Sequence, residues 1–323
     1  MRALPAALAG TVATAGAIAA LRRADAHWAA ADDPCAPEDR LLPLGNSQTV
    51  PTDDGAELAV TISGTGPTVV LAHCWTGGRE VWAPVAHRLI GAGHRVVLYD
   101  QRGHGSSTVG REGLTIERLG HDLAAVLEAV DGRDAVLAGH SMGGMTVMSL
   151  AAQRPDVMAE RAGALVLVAT AAGGLGRGGR ADLGPPRVVG SRLLERAMRT
   201  SLGHVFVRGT VGKAVRRNHL VLTRDLFVAC EPEVRSGWLG AMLAMDLRQA
   251  VAGIDAPTTV LVGSRDRLTP PHLAAELVLA VPGARLVTLA DAGHMLPLEA
   301  PDVVAEAISA AAAERSPAAT RAS

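Results

Sequence analysis

An α/β fold, with a mostly parallel sheet covered by helices on both faces, is the architecture this sequence predicts. Two observations predict it. Short β-rich runs alternate with helical patterns along most of the chain. The 323 residues, 48% of them hydrophobic, suffice for one large domain with a buried sheet.

In chain order, the first element is an uncharged, alanine-rich run over residues 3–21, bounded by Arg2 and by Arg22 and Arg23. A run of about nineteen residues is long enough to cross a bilayer core as a helix. Its alanines, glycines and threonines make it only modestly hydrophobic, and Pro5 weakens the first turn. Ala24-Asp25-Ala26 offers a small-x-small cleavage site. Residues 1–23 therefore read as a membrane anchor or a signal segment, giving a membrane-associated or exported protein, with a docking helix on a cytoplasmic protein as the third option. Residues 24–46, with Asp32-Asp33-Pro34 and Ala36-Pro37-Glu38-Asp39, read as a polar linker.

The alternation then begins. Strands are expected at residues 57–63, 68–73, 94–99, 135–138, 164–169, 258–263 and 285–289, and helices at 82–92, 115–130, 142–153, 271–281 and 301–312. In the 115–130 helix, Leu119, Leu123, Val126, Leu127 and Val130 form an apolar stripe at helical spacing. Residues 47–170 and 257–314 make two parts of one core, and 315–323 a flexible tail. Between them, residues 171–256 interrupt the alternation with a helical, arginine-rich insertion read as a lid. Its 13 Lys+Arg against 7 Asp+Glu give it +6 in a chain of net charge −1. Such asymmetry suits an anionic surface or substrate, or simply a solvated exterior. Leu193, Leu194, Met198, Val205, Phe206, Leu226, Phe227, Trp238, Leu239, Met242, Leu243 and Met245 are candidates for the lid's inner face. The glycine-rich stretch over residues 173–179 lacks the strand, turn, helix setting of a dinucleotide site and reads as a hinge.

The most specific signal is Gly139-His140-Ser141-Met142-Gly143-Gly144, which follows the apolar run Ala135-Val136-Leu137-Ala138. A serine between two glycines, where a strand gives way to a helix, has the layout of a nucleophile elbow. Its tight turn exposes the hydroxyl at the strand end and demands neighbours without bulk. A serine hydroxyl is a poor nucleophile until an imidazole takes its proton, and the imidazole needs a carboxylate to hold its tautomer. In this motif the order along the chain is serine, acid, histidine. Asp266 follows the strand-like run at 258–263, and His294 follows the run at 285–289. Asp291 is a rival acid, only three residues from His294, and lacks the strand-end placement.

These motifs resemble those of the α/β-hydrolase superfamily, over about residues 47–312 and least between 171 and 255. Asp100-Gln101-Arg102-Gly103-His104-Gly105 resembles the family's loop after the fourth strand, which shapes the site. Asp100 and Arg102 are read as structural. The resemblance implies an oxyanion hole built from two backbone N–H groups, one from Met142 and one from Trp75 in His73-Cys74-Trp75. Cys74 stands where the family usually has glycine, so the loop's geometry becomes a question for the structure. Cys74 itself reads as a small packed side chain.

The function implied is a serine esterase or lipase-like enzyme cleaving carboxylic esters through an acyl-enzyme, without a cofactor or metal. Its expected partner is a small-molecule ester with an apolar acyl group, because Trp75 and Trp82, expected near the oxyanion loop, together with the apolar residues of the insertion suggest an apolar acyl pocket. The alternatives are a carbon–carbon bond hydrolase, a cofactor-free haloperoxidase-like enzyme, and a non-catalytic ligand-binding protein on the same scaffold. Nucleic-acid binding is disfavoured by the near-neutral charge and by aromatics at only 2%. Three cysteines make no disulfide framework; a bridge from Cys35 to Cys230 is conceivable only in an exported protein.

Overall fold

A computed structural model describes residues 41–175, 184–213 and 216–314, together with Arg23. The rest of the anchor or signal segment, residues 24–40 of the linker with Cys35 among them, the greater part of the glycine-rich stretch and the 315–323 tail lie outside the described residues. Among the described residues no helix is long and apolar enough to cross a membrane.

The core strands are β1 (Asn46–Pro51), β2 (Glu57–Ser63), β3 (Thr68–Ala72), β4 (Arg95–Tyr99), β5 (Ala135–His140), β6 (Ala162–Val168), β7 (Thr258–Gly263) and β8 (Arg285–Leu289). They form one sheet in the order β1-β2-β4-β3-β5-β6-β7-β8. β2 pairs antiparallel with both β1 and β4, and every pair from β4 to β8 is parallel. Helices α1 (Ala83–Gly91), α2 (Ile116–Ala129), α3 (Met142–Gln153), α4 (Pro155–Arg161), α10 (Pro271–Ala280), α11 (Leu296–Glu299) and α12 (Pro301–Ala313) accompany the sheet. Between β6 and β7 stand α5 (Pro186–Val189), α6 (Arg192–Met198), α7 (Ser201–Arg208), α8 (Arg217–Ala229) and α9 (Pro232–Ala244).

The sheet is apolar on both faces because both are covered. Val69, Leu71, Val136 and Ala138 join one cluster with Val85 and Leu89 of α1 and Val304 and Ile308 of α12. Their neighbours Val70, Ala72 and Leu137 join the other, with Leu119 and Leu123 of α2, Met145 of α3 and Leu277 of α10. Side chains alternate across a strand, so a two-sided core reads in sequence as a continuous hydrophobic run. Thr115 caps α2, its hydroxyl accepting from the Arg118 N–H at 3.3 Å.

The strand and helix expectations hold to within a few residues, with identifiable departures. β1 has no counterpart among them, and Asn46, expected in the linker, is its first residue. The strand is polar and mostly exposed at the sheet edge, and so carries no apolar signal. The 82–92 helix is preceded by a 3-10 turn (Arg79–Trp82), and α4 was not anticipated.

Arg102 is fully buried as expected of a structural residue. Its guanidinium meets Asp122 at 2.6 Å through both Nε and Nη2, and Asp54 at 3.0 and 3.1 Å. Hydrogen bonding to Arg102, working against burial, holds the Asp54 carboxyl well below the usual carboxylate range. Asp100 accepts from the Arg79 N–H and the Ser106 N–H, closing the loop after β4.

Candidate active site

Four loops converge at the carboxyl edge of the parallel strands, where open α/β sheets place their ligands. Ser141 directly follows β5, Asp266 lies three residues beyond β7, His294 five beyond β8 and Trp75 three beyond β3.

The turn at Ser141 has φ 55 and ψ −115, a conformation a serine rarely adopts. It is held by the Ser141 N–H donating to Val168 O at 2.9 Å and by the Thr170 hydroxyl donating to Ser141 O at 2.7 Å. The flanking glycines are sterically required. A Cβ at Gly139 would sit 2.3 Å from Gly143 O, and one at Gly143 would sit 2.0 Å from Ala72 O.

Asp266 is buried and its Oδ2 lies 2.9 Å from His294 Nδ1. Its Oδ1 accepts from the N–H groups of Leu268 and Thr269, and its Oδ2 accepts from the Thr269 hydroxyl at 2.8 Å. Burial pushes this carboxyl up, but the His294 charge and these hydrogen bonds outweigh it and hold the group below its ordinary value. A carboxylate can only accept, so His294 carries its proton on Nδ1 and presents Nε2 as an acceptor. Ser141 and His294 line the same cavity. No hydrogen bond joins their side chains, a common looseness in unliganded sites. Asp291, the rival acid, is exposed and pairs instead with Arg265 at 2.8 Å and Lys213 at 2.9 Å.

The loop at Trp75 accommodates Cys74 without a left-handed residue at that position. Gln101 N–H donates to His73 Nε2 at 2.9 Å, so the His73 proton sits on Nδ1 and is donated to Cys74 O at 2.7 Å. Gly77 N–H donates to the same carbonyl at 3.0 Å. The peptide is trans and planar, so fixing the Cys74 carbonyl aims the Trp75 N–H the opposite way. Neither the Trp75 nor the Met142 N–H donates to an acceptor among the described residues. The Cys74 thiol is buried and pushed up to about 12, so it stays protonated.

The cavity has a volume of about 360 Å³. Trp75, Met145, Phe206, Leu226, Phe227, Leu239, Met242 and Leu243 contribute apolar walls, and among the described residues no Asp, Glu, Lys or Arg lines it. Half of the residues proposed from sequence for the inner face of the insertion are therefore found there. Leu193 and Val205 instead face outward, 77% and 51% exposed, and Trp238 is buried elsewhere, its indole donating to Arg102 O. Trp82 is also absent from the cavity, being fully buried beneath it with its ring edge-on to His140. Cys230 is a free buried thiol at the end of α8.

Two residues without a sequence-assigned role contact the centre. Thr269 bonds Asp266 and lies 3.2 Å from His294 Nδ1; an acid followed three residues later by a hydroxyl is a turn-capping spacing that could have marked it. His140 is fully buried, and its Nε2 donates to His294 O at 2.8 Å. Burial first, and then the His294 charge, lower it to about 3, so it remains neutral.

Comparison with known proteins identifies the family. A profile of the Alpha/beta hydrolase family matches residues 69–307. The chain is 31% identical over 255 residues to a pimeloyl-(acyl-carrier protein) methyl ester esterase of Xanthomonas campestris, covering 77% of this chain and 96% of that one. It is 30% identical over 260 residues to a protein of Azorhizobium caulinodans provisionally named a carbamate hydrolase, covering 78% and 93%. Among solved structures, the enol-lactonase of Burkholderia xenovorans LB400 superposes with a TM-score of 0.67 at 29% identity, over 83% of this chain and all of that one. The chain belongs to the α/β hydrolase family.

Proposed function

We propose that this protein is a serine hydrolase of carboxylic esters whose acyl group is apolar and uncharged. The observation that carries this reading is the buried Asp266–His294 pair, 2.9 Å apart, sharing with the strained Ser141 turn one cavity whose described walls carry no charged side chain. In this reading His294 Nε2 removes the Ser141 proton as Oγ attacks the ester carbonyl. Asp266 stabilises the imidazolium through Nδ1–H. The amides of Trp75 and Met142 receive the developing oxyanion. Collapse expels the alcohol, protonated by His294, and leaves an acyl-serine. A water molecule, activated by the same imidazole, then releases the acid and restores the enzyme.

The helical insertion serves as the lid and acyl-binding wall, because Phe206, Leu226, Phe227 and Met242 come from α7, α8 and α9. Each buried methylene contributes up to about 0.8 kcal/mol, so extending the acyl chain from two to six carbons raises kcat/KM by up to roughly a few hundredfold. The preferred chains are expected at about four to eight carbons. The enol-lactonase and the methyl ester esterase both have ester bonds in the substrates their names give, which supports the reaction class. Carbon–carbon cleavage, perhydrolysis and passive ligand binding have no particular observation in their favour.

A fluorophosphonate probe, followed by peptide mapping, is expected to label Ser141. A panel of p-nitrophenyl esters is expected to show activity rising from acetate to hexanoate. An unlabelled Ser141 with no turnover of any ester or lactone overturns the reading.

A further inference from the structure

The backbone around His294 is held by groups from three separate parts of the molecule. His294 N–H donates to Thr210 O of the insertion at 2.8 Å, and His294 O accepts from His140 of β5 at 2.8 Å. The N–H groups on either side converge on one carboxylate. Gly293 N–H donates to Glu299 Oε2 at 2.9 Å and Met295 N–H to Glu299 Oε1 at 2.9 Å. Glu299 Oε2 accepts a third N–H, that of Gly212 in the insertion, at 2.7 Å. Lys213 N–H adds a parallel link to Asp291 O at 2.9 Å. The backbones touch here: a Cβ on Gly293 would lie 2.5 Å from Gly212 N.

Glu299 closes the single turn α11, in which Pro297 restricts the backbone, so its carboxylate folds back beneath the histidine loop. An ionised carboxylate only accepts, and charge-assisted bonds from N–H groups are roughly twice as strong as neutral ones. We propose that Glu299 is a positioning residue, joining Gly212 of the insertion to both peptides flanking His294 so that the insertion and the imidazole are aimed together. The inference rests on the proposed function in one respect, that His294 is the base. The 210–213 segment connects α7 to α8, and Phe206 of α7 with Leu226 and Phe227 of α8 line the cavity. A substrate pressing on those side chains therefore acts on the seat of the histidine.

The test compares Glu299→Gln and Glu299→Asp with the parent protein. The Gln variant keeps one acceptor but turns an NH2 toward backbone donors, so at least one of the three bonds is lost. Hydrogen exchange at the amides of residues 212, 293 and 295 is expected to accelerate at least about tenfold, while β5 amides keep their parent rates. The kcat per probe-titrated serine is expected to fall by about ten- to a hundredfold with KM within about threefold, because a misplaced base affects the reacting geometry rather than binding. The acid limb of the pH profile should move, and Glu299→Asp should be intermediate; if the Gln variant does not fold, the Asp variant carries the same readouts. Unchanged exchange at those amides overturns the clamp. Faster exchange with parental kcat and pH profile overturns its positioning role. A parent protein whose Ser141 is not labelled refutes the proposed function, while the exchange measurement still reads the clamp.

Discussion

The parallel sheet and the helical insertion at its carboxyl edge differ in how they are built. In β3, β5 and β7 every residue is buried, and Ser141 and Asp266 follow β5 and β7 within three residues, whereas His294 follows β8, a mostly exposed strand at the sheet edge. The described α-helices of the insertion run from 4 to 13 residues and leave Val188, Leu193, Leu202 and Val205 substantially exposed. Its interior is organised by one fully buried arginine. Arg235 donates to the carbonyls of Phe227, Cys230 and Val189, stands 4.8 Å over the Phe227 ring, and its own carbonyl accepts the Trp75 indole N–H at 3.1 Å. In the proposed mechanism the nucleophile and the acid sit on a rigid two-sided core, whereas substrate fit falls to small elements that can be altered without disturbing it.

The sharpest way to separate the two regions is to remove chemistry from the core alone. Ser141→Ala is expected to lower ester turnover by about 10⁴-fold or more with an unchanged circular dichroism spectrum, and adding His294→Ala should cost little further. A multiplicative loss in the double variant would argue against one catalytic unit.

Breaking the insertion alone should instead leave the chemistry present and the substrate poorly held. Arg235→Ala leaves buried carbonyls without donors and is expected to destabilise the protein by about 3 kcal/mol, read from urea unfolding. Exchange should rise in α8 and α9 before it rises in the sheet. Equal protection loss in β5 would show that the two regions unfold as one.

A gentler version tests the division of labour. Leu226→Ala removes part of the cavity wall and is expected to reduce the hexanoate-to-acetate ratio of kcat/KM by about tenfold while acetate hydrolysis changes less than about threefold. Equal losses on both esters would place Leu226 in the general machinery.

Acid sharpens the comparison from the core's side. His73, His104 and His140 are all buried beneath the site, and burial lowers each of them, the latter two to about 3. The unfolded chain takes up protons at these positions below about pH 6.5, while the folded chain does not. Their contribution to stability is therefore full above that pH and falls as the pH drops, for His104 and His140 down to about 3 and by about 1 kcal/mol per unit each, with His73 acting in the same direction. Thermal unfolding between pH 7.5 and 4.5 should show this slope, and His104→Gln should flatten it. The depressed carboxyls of Asp54 and Asp266 act only below about pH 4, whereas burial raises Glu80 and Asp122, and protonation of these two in the folded chain opposes the histidine slope.

Much of this architecture is legible in the chain because it is local. The Gly139-His140-Ser141-Met142-Gly143 turn must be written in adjacent residues, since its glycines contact backbone atoms of the same turn and of β3. The apolar runs announce two-sided strands for the same reason. β1 escapes because an exposed edge strand pairs through its backbone and needs no side-chain pattern. The candidate cavity residues were separable only in part, because helical periodicity marks a buried face without saying what buries it. Phe206 and Leu226 face the cavity, whereas Trp238 faces the core and Leu193 the solvent.

The fold class and the serine turn are legible in the sequence because they depend on neighbours a few residues apart, and an acid and then a histidine could be sought at later strand ends because those ends are marked locally too. The structure pairs His294 with Asp266, 28 residues away and the acid the sequence favoured over Asp291, and it alone brings Thr269, His140 and Glu299 into hydrogen bonds around that pair. It also decided that Cys74 is compatible with its loop, through the His73 and Gln101 bonds. These are contacts between loops brought together at one edge of a sheet. Their partners are chosen by distance in space, which no spacing along the chain encodes.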